Sequence, residues 1–148
     1  MNDERFMRLA LEQAAQAWQM DEVPVGAVMV RDGEVIARAH NRRETQQDPL
    51  AHAEIDVIRQ AAQKLNSWRV LDCTLYVTLE PCPMCAGAII NARIPRVVFG
   101  AYDPKAGAFG TLYNMAEGKL NHTPEVVGGV LREECAAILS GYFREKRR

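Results

Sequence analysis

Two short stretches hold the residues best suited to chemistry, His52-Ala53-Glu54 and Pro81-Cys82-Pro83-Met84-Cys85. Imidazole nitrogen and thiolate sulfur are zinc donors, and a catalytic zinc keeps its fourth position open for water. His52, Cys82 and Cys85 make three such ligands, and two soft thiolates beside one imidazole favour zinc over magnesium or calcium. Cys82 and Cys85 lie three apart, so at the start of a helix they share a face. The partial positive charge of a helix N-terminus lowers a thiol's pKa and favours the ligating thiolate. His52 falls in the first turn of a second helix, so two helix starts can converge on one metal. Glu54 fits less simply. Residues two apart do not lie on one helical face, and only side-chain reach in the first turn brings Glu54 to the same metal as His52.

Taken alone, the CxxC pair also fits a redox pair or half of a structural zinc site. A closed structural site needs four protein ligands, and the spare candidates are His40, His122, Cys73 and Cys135. Cys73 sits in an apolar strand and Cys135 on a helix face, so both read as buried small hydrophobes.

The elements that must position these groups follow from periodicity and turn chemistry. Asp3 reads as the cap of a helix whose apolar face runs Phe6, Leu9, Ala10, Ala14, Ala17 and Trp18. Val25 to Val30 and Glu34 to Ala39 flank Asp32-Gly33, a hairpin signature. Asn41 to Asp48 reads as loop. Asp48-Pro49 reads as an N-cap with proline in the first turn of a helix continuing from Ala51 to Leu65. Ile55, Ile58, Ala62 and Leu65 lie on one face of it.

A strand over Cys73 to Leu79, a helix from Pro83 to about Ala92 and a strand at Val97 to Phe99 come next. Residues 101 to 118 are glycine-rich, with a short helix expected near Thr111 to Ala116. Glu125 to Val127 reads as a last strand. Leu131 to Arg147 is a final helix with Cys135, Ile138, Leu139 and Tyr142 toward the core. The order predicts an α/β fold of three α/β/α layers, with a central mixed five-stranded sheet covered by helices on both faces. The opening hairpin is antiparallel, and the later strand-helix-strand units favour parallel pairing.

Composition narrows the class. The 148 residues are expected to form a single domain, 1–148, with 48% apolar and 25% charged residues as in ordinary globular proteins. A net charge of -1 means that any nucleic-acid contact comes from a local basic surface. No apolar run is long enough to cross a membrane, and the polar start Met1-Asn2-Asp3-Glu4-Arg5 lacks the apolar stretch of a signal peptide. A cytoplasmic protein is expected, and in that reducing setting the four cysteines are not expected to form structural disulfides.

The H-x-E and P-C-x-x-C motifs together resemble the zinc-dependent nucleobase deaminases of the cytidine and deoxycytidylate deaminase superfamily. The likeness extends over Val23-Pro24-Val25-Gly26-Ala27, Asn41, Ala51-His52-Ala53-Glu54, the run Leu75 to Cys82, Cys85-Ala86-Gly87-Ala88 and Val97 to Ala101. These stretches are similar to the tRNA-specific adenosine deaminases over nearly the whole chain. The resemblance implies a cytidine-deaminase-like fold, one zinc ion per chain on His52, Cys82 and Cys85, and a homodimer. It implies Glu54 as the proton shuttle, which taken alone would read as a solvated helix residue. It implies that Asn41 hydrogen-bonds the base, although a loop Asn also serves as a turn residue. Gly26 and Ala27 would let the base approach the backbone, or equally would admit a tightly packed helix.

The expected reaction is hydrolysis of adenosine to inosine at the wobble position of a tRNA anticodon, with the anticodon stem-loop as partner. The resemblance sets Asp103, Lys105, Asn121, Phe143 and Arg144 along the anticodon-loop path. Against this, Arg144, Lys146, Arg147 and Arg148 are also what a helix dipole favours at a solvated C-terminus. Two rival readings share the motifs. A deaminase of free guanine or cytosine would close its pocket with the C-terminal segment, and a non-catalytic zinc-stabilised module would need four protein ligands.

Overall fold

A computed structural model describes residues 2–147. Its elements are α1 (Asp3–Gln19), β1 (Gly26–Arg31), β2 (Glu34–His40), α2 (Arg43–Gln46), α3 (Ala53–Leu65), β3 (Cys73–Leu79), α4 (Pro83–Asn91), β4 (Arg96–Ala101), β5 (Glu125–Val127) and α5 (Arg132–Lys146). The five strands form one sheet in the order β2-β1-β3-β4-β5. β1 pairs antiparallel with both β2 and β3, while β3–β4 and β4–β5 are parallel. The expected mixed sheet is therefore present.

Period-two alternation splits the strands between two cores. Ala27 and Met29 of β1, Leu75 and Val77 of β3, and Val97 and Phe99 of β4 face α3 and α4. Val28, Val30, Tyr76 and Val98 face the other way, onto α1 and α5. Fully burying one such side chain contributes roughly 1.5–3 kcal/mol, so two filled faces hold the sheet between its helices. Because β1 runs opposite to β3 and β4, its N-terminal end and their C-terminal ends share one edge of the sheet. Ligands in open α/β sheets bind outside that carboxyl edge.

Several local expectations change. Asp3 does not cap α1. Asn2 holds that position without a side-chain bond, and the Asp3 carboxylate instead accepts two hydrogen bonds from Arg96 at 3.0 and 2.9 Å and one from Tyr76 at 2.7 Å. Tertiary partners outcompeted the local amides. Asp48 does not cap α3 either; its side chain accepts from the Leu50 amide in a turn, and the helix begins only after His52. Residues 43–46 form a short helix where loop was expected. No helix forms over Thr111 to Ala116, where Phe109 and Asn114 make an isolated bridge between turns. Trp18 is only half-buried, packing edge-on against Tyr142. Ile55 leaves the α3 core face, which is built on Ala53, Val57 and Ala61 with Ile58, Ala62 and Leu65 beside it.

The Asp3 contacts fasten the first turn of α1 across β3 and β4. The Arg96 hydrogen bonds hold the Asp3 carboxyl below its ordinary value of 3.8, with burial opposing and Tyr76 assisting. A depressed carboxyl stabilises the fold above its unfolded value and loses that contribution as pH falls below it. Asp3→Asn is therefore expected to cost about 1–2 kcal/mol near neutral pH, the range for a charge-assisted bond that is partly exposed. Urea melts at pH 7 and pH 3 check this. The gap to the parent should shrink at the lower pH.

Candidate active site

His52 is the N-cap of α3 and Cys82 the N-cap of α4, both with extended backbone and neither making a side-chain cap bond. Pro83 opens α4 at the position where a missing amide costs nothing. Cys85 is the third residue of that helix. The two helix ends meet so that His52 Nδ1 lies 3.4 Å from Cys85 Sγ and 3.8 Å from Cys82 Sγ. All three donor atoms fall within 4.8 Å of one another, and they form the metal-capable cluster among the described residues. Zinc bonds of about 2.0–2.1 Å to nitrogen and about 2.3 Å to sulfur, at tetrahedral angles, set such donors about 3.6 Å apart. The observed spacings straddle that value, so the cluster fits a tetrahedral ion of this size.

The caps also resolve the spacing difficulty in H-x-E. His52 is outside the helix, so helical periodicity does not set its direction, and Glu54 at the second helical position is free to converge with it. Glu54 is 4% exposed, and burial pushes its carboxyl up to about 7. The Cys82 thiol is drawn down to about 4, first by the hydrogen bond from Cys85 and then, against burial, by His52. The same bond and burial push Cys85 upward, so the charge of the pair resides on Cys82. The bond to Cys82 raises His52 in turn, against burial. Cys73 and Cys135 are buried free thiols outside the cluster.

A cavity of about 170 Å³ opens beside the cluster. It is smaller than the roughly 300–1,000 Å³ of drug-sized sites, a scale suited to one flat heterocycle. Asn41, Arg43, Glu80, Asp103 and Ala106 line it beside the cluster, and Val23 and Val25 also contribute. Asn41 Nδ2 donates to the Val23 carbonyl at 3.3 Å, and its Oδ1 accepts from the Arg43 amide at 3.1 Å. Asn41 is thus both a turn residue and a cavity residue.

Gly26 and Ala27 do not line this cavity. A Cβ on Gly26 would lie 2.1 Å from the Ala10 carbonyl oxygen and 2.4 Å from the Ala14 amide nitrogen. Close packing of α1 accounts for this glycine, while Ala27 belongs to the core under α3. Lys105 is exposed on the turn that Asp103 organises by accepting its amide at 2.9 Å. Asn121 lines a separate groove along α3 and α4. Phe143 and Arg144 are exposed on the last turns of α5, near Asp21, which accepts from Tyr142 and Lys146. Arg148 lies outside the described residues.

Two carboxylates that sequence reasoning passed over are fully buried. Glu22 accepts from the amides of Glu44 at 3.1 Å and Thr45 at 2.5 Å, and from the Thr45 hydroxyl, fixing α2 and hence Arg43. Burial raises its carboxyl, but those bonds outweigh it and hold it below the usual range. Glu80 stands just past the end of β3, and its residue type alone assigns it no role. The signal was a carboxylate between an apolar strand and Pro81-Cys82, ahead of a loop rich in small residues.

A buried carboxylate, a cluster of one imidazole and two thiolates, and a base-sized cavity at the carboxyl edge of a mixed sheet are the parts of a hydrolytic deaminase. The family model for MafB19-like deaminases matches residues 1–147, which sets the class. The tRNA-specific adenosine deaminase of Bacillus subtilis (strain 168) is 56% identical over 147 residues, covering 99% of this chain and 91% of that protein. A solved structure from studies of A-to-I editing by tRNA:A34 deaminases superposes with a TM-score of 0.87 at 49% identity, covering 91% of this chain and 99% of that one. A guanine deaminase from Nitrosomonas europaea superposes with a TM-score of 0.84 at 27% identity, covering 94% and 83%. The chain belongs to the family of tRNA-specific adenosine deaminases, within the MafB19-like deaminases.

The Gly26 contacts generate a stability prediction. Gly26→Ala should destabilise the protein by about 1–3 kcal/mol through overpacking against α1. Thermal melts of the variant check the direction, and an unchanged midpoint would contradict the close approach.

Proposed function

We propose that this protein hydrolyses adenosine to inosine at the wobble position of a tRNA anticodon, and that it uses one zinc ion held by His52, Cys82 and Cys85. The observation that carries the proposal is the buried Glu54 carboxylate, placed at the wall of a base-sized cavity beside those three donors. When bound, zinc supplies the Lewis acidity that makes water a competent nucleophile near neutral pH. Glu54 takes the proton released as water adds to carbon six of the adenine ring. It delivers that proton to the ring nitrogen. It then takes the second proton from the newly formed hydroxyl and passes it to the departing amino group, which leaves as ammonia while the carbon–oxygen double bond forms. Its raised affinity for a proton suits a group that must both accept and donate. Asn41, held in place by Val23 and Arg43, orients the base at the cavity mouth.

The open mouth favours a nucleotide within RNA over a free base. Among the described residues none of α5 lines the cavity; Tyr142 and Lys146 tie its end to Asp21 instead. Exposed Phe143 and Arg144 there, and exposed Lys105 on the turn that Asp103 organises, offer an aromatic surface and cations for splayed single-stranded bases. A homodimer is part of the proposal. The groove along α3 and α4 is flanked by Leu50 and Leu120, about half exposed (47% and 49%), surface that a second copy would cover. Among the described residues no helix is long and apolar enough to cross a membrane, and a cytoplasmic site of action follows from the proposed substrate.

Three measurements test this reading. Purified protein given an anticodon stem-loop should release ammonia and leave inosine, and turnover of free guanine or cytosine alone would reject the tRNA substrate. Glu54→Gln should keep its zinc while losing at least about a hundredfold in kcat, the usual scale of acid–base catalysis. Cys82→Ser and Cys85→Ser should each lose zinc by elemental analysis, and full zinc content in either would reject the ligand set.

A further inference from the structure

The connection from β4 to β5 is long and irregular, yet its first half is fastened to one buried carboxylate. Glu80 is 1% exposed. Its oxygens accept from the amides of Asp103 at 3.0 Å, Phe109 at 3.1 Å and Thr111 at 3.1 Å, and from the Thr111 hydroxyl at 2.5 Å. All four donors come from the 103–111 segment, and none is a cation. Gly107 passes so close that a Cβ there would lie 2.4 Å from Glu80 Oε1. The Ala108 amide also donates to the Pro81 carbonyl at 2.9 Å, registering the segment against the chain that leads into Cys82. That segment carries Asp103 and Ala106 into the cavity wall.

Burying a carboxylate without a counter-cation is costly, and only a full set of hydrogen bonds offsets it. An apolar residue would serve better at a strand end that needed stability alone. We infer that Glu80 is a positioning residue for substrate, which sets the Asp103–Ala106 wall at a fixed depth from the His52/Cys82/Cys85 cluster. It acts through that wall, its carboxylate being occupied by the segment's donors. The inference rests on the deaminase reading above and adds a determinant of how the base is seated.

Glu80→Gln keeps the shape but replaces one acceptor oxygen with an NH₂ that opposes the segment's donors. On an anticodon stem-loop its KM should rise about tenfold, the equivalent of one charge-assisted bond, with kcat changing far less. Zinc content should match the parent, and amide exchange should accelerate at Phe109 and Thr111 without change in the sheet. Thr111→Val, which removes one donor from an exposed residue, should raise KM in the same direction, and Thr111→Ser should restore it. Parental KM in a folded Glu80→Gln, or loss of zinc and kcat at unchanged KM, would overturn the inference. Should Glu80→Gln fail to fold, parental KM in Thr111→Val overturns it instead. Should the parent itself not act on the RNA, the substrate reading fails, and unchanged exchange at 103–111 in either variant still overturns the role of Glu80.

Discussion

Two helix N-termini facing each other at close range set the terms for everything around them. Each end carries unpaired amides worth about half a positive charge, and such ends repel unless negative charge lies between them. Here the caps of both helices are donors of the cluster, His52 for α3 and Cys82 for α4. Neither side chain is spent on its own helix, so both remain free to point inward. The Cys82 thiolate, held well below the ordinary thiol range, supplies the charge this meeting requires, while Glu54 beside it is poised to take up or release a proton. The arrangement that suits a cation thus also satisfies the helices that build it.

The sheet makes this convergence rigid. β3 delivers Cys82 and β4 delivers Asp103 at the same edge, because they are parallel neighbours with Leu79 opposite Ala101. β1, running antiparallel to β3, brings Val25 to that edge from the other side. Both strand faces are filled, so none of these ends can shift without opening a core. The irregular segments that line the cavity are borne by this frame. Each of those segments is tied down by a buried carboxylate that accepts peptide amides, Glu22 for α2 and Glu80 for the 103–111 stretch. The same frame superposes well on both a tRNA:A34 deaminase and a guanine deaminase.

Much of this was legible in the residues. Apolar, β-branched runs at 25–30, 73–79 and 97–99 marked strands, Asp32-Gly33 marked the hairpin, and the motif spacing named the cluster. Three of the failures share one cause, competition from residues distant in sequence, whereas Asp48 was taken by a local turn with Leu50. Asp3 had the chemistry of a cap, but Arg96 and Tyr76 offered stronger partners. Thr111 to Ala116 could have made a helical turn, but Glu80 claims the Thr111 amide and hydroxyl. Residues 43–46 became helical because Glu22, more than twenty positions earlier, takes the first amides of that turn. Gly26 carried two explanations until the backbone of α1 was seen against it.

The chain by itself determined its donor set, its strand periodicity and the class of chemistry that one imidazole, two thiolates and a carboxylate perform, because these are properties of residue type and local spacing. Only the tertiary structure decided that two helix ends meet, that Glu54 is buried where His52 turns inward, and that Glu22 and Glu80 hold the cavity walls. Those contacts join residues 22 to 33 positions apart, and no local preference encodes a partner at that distance; close packing of the two cores selects it.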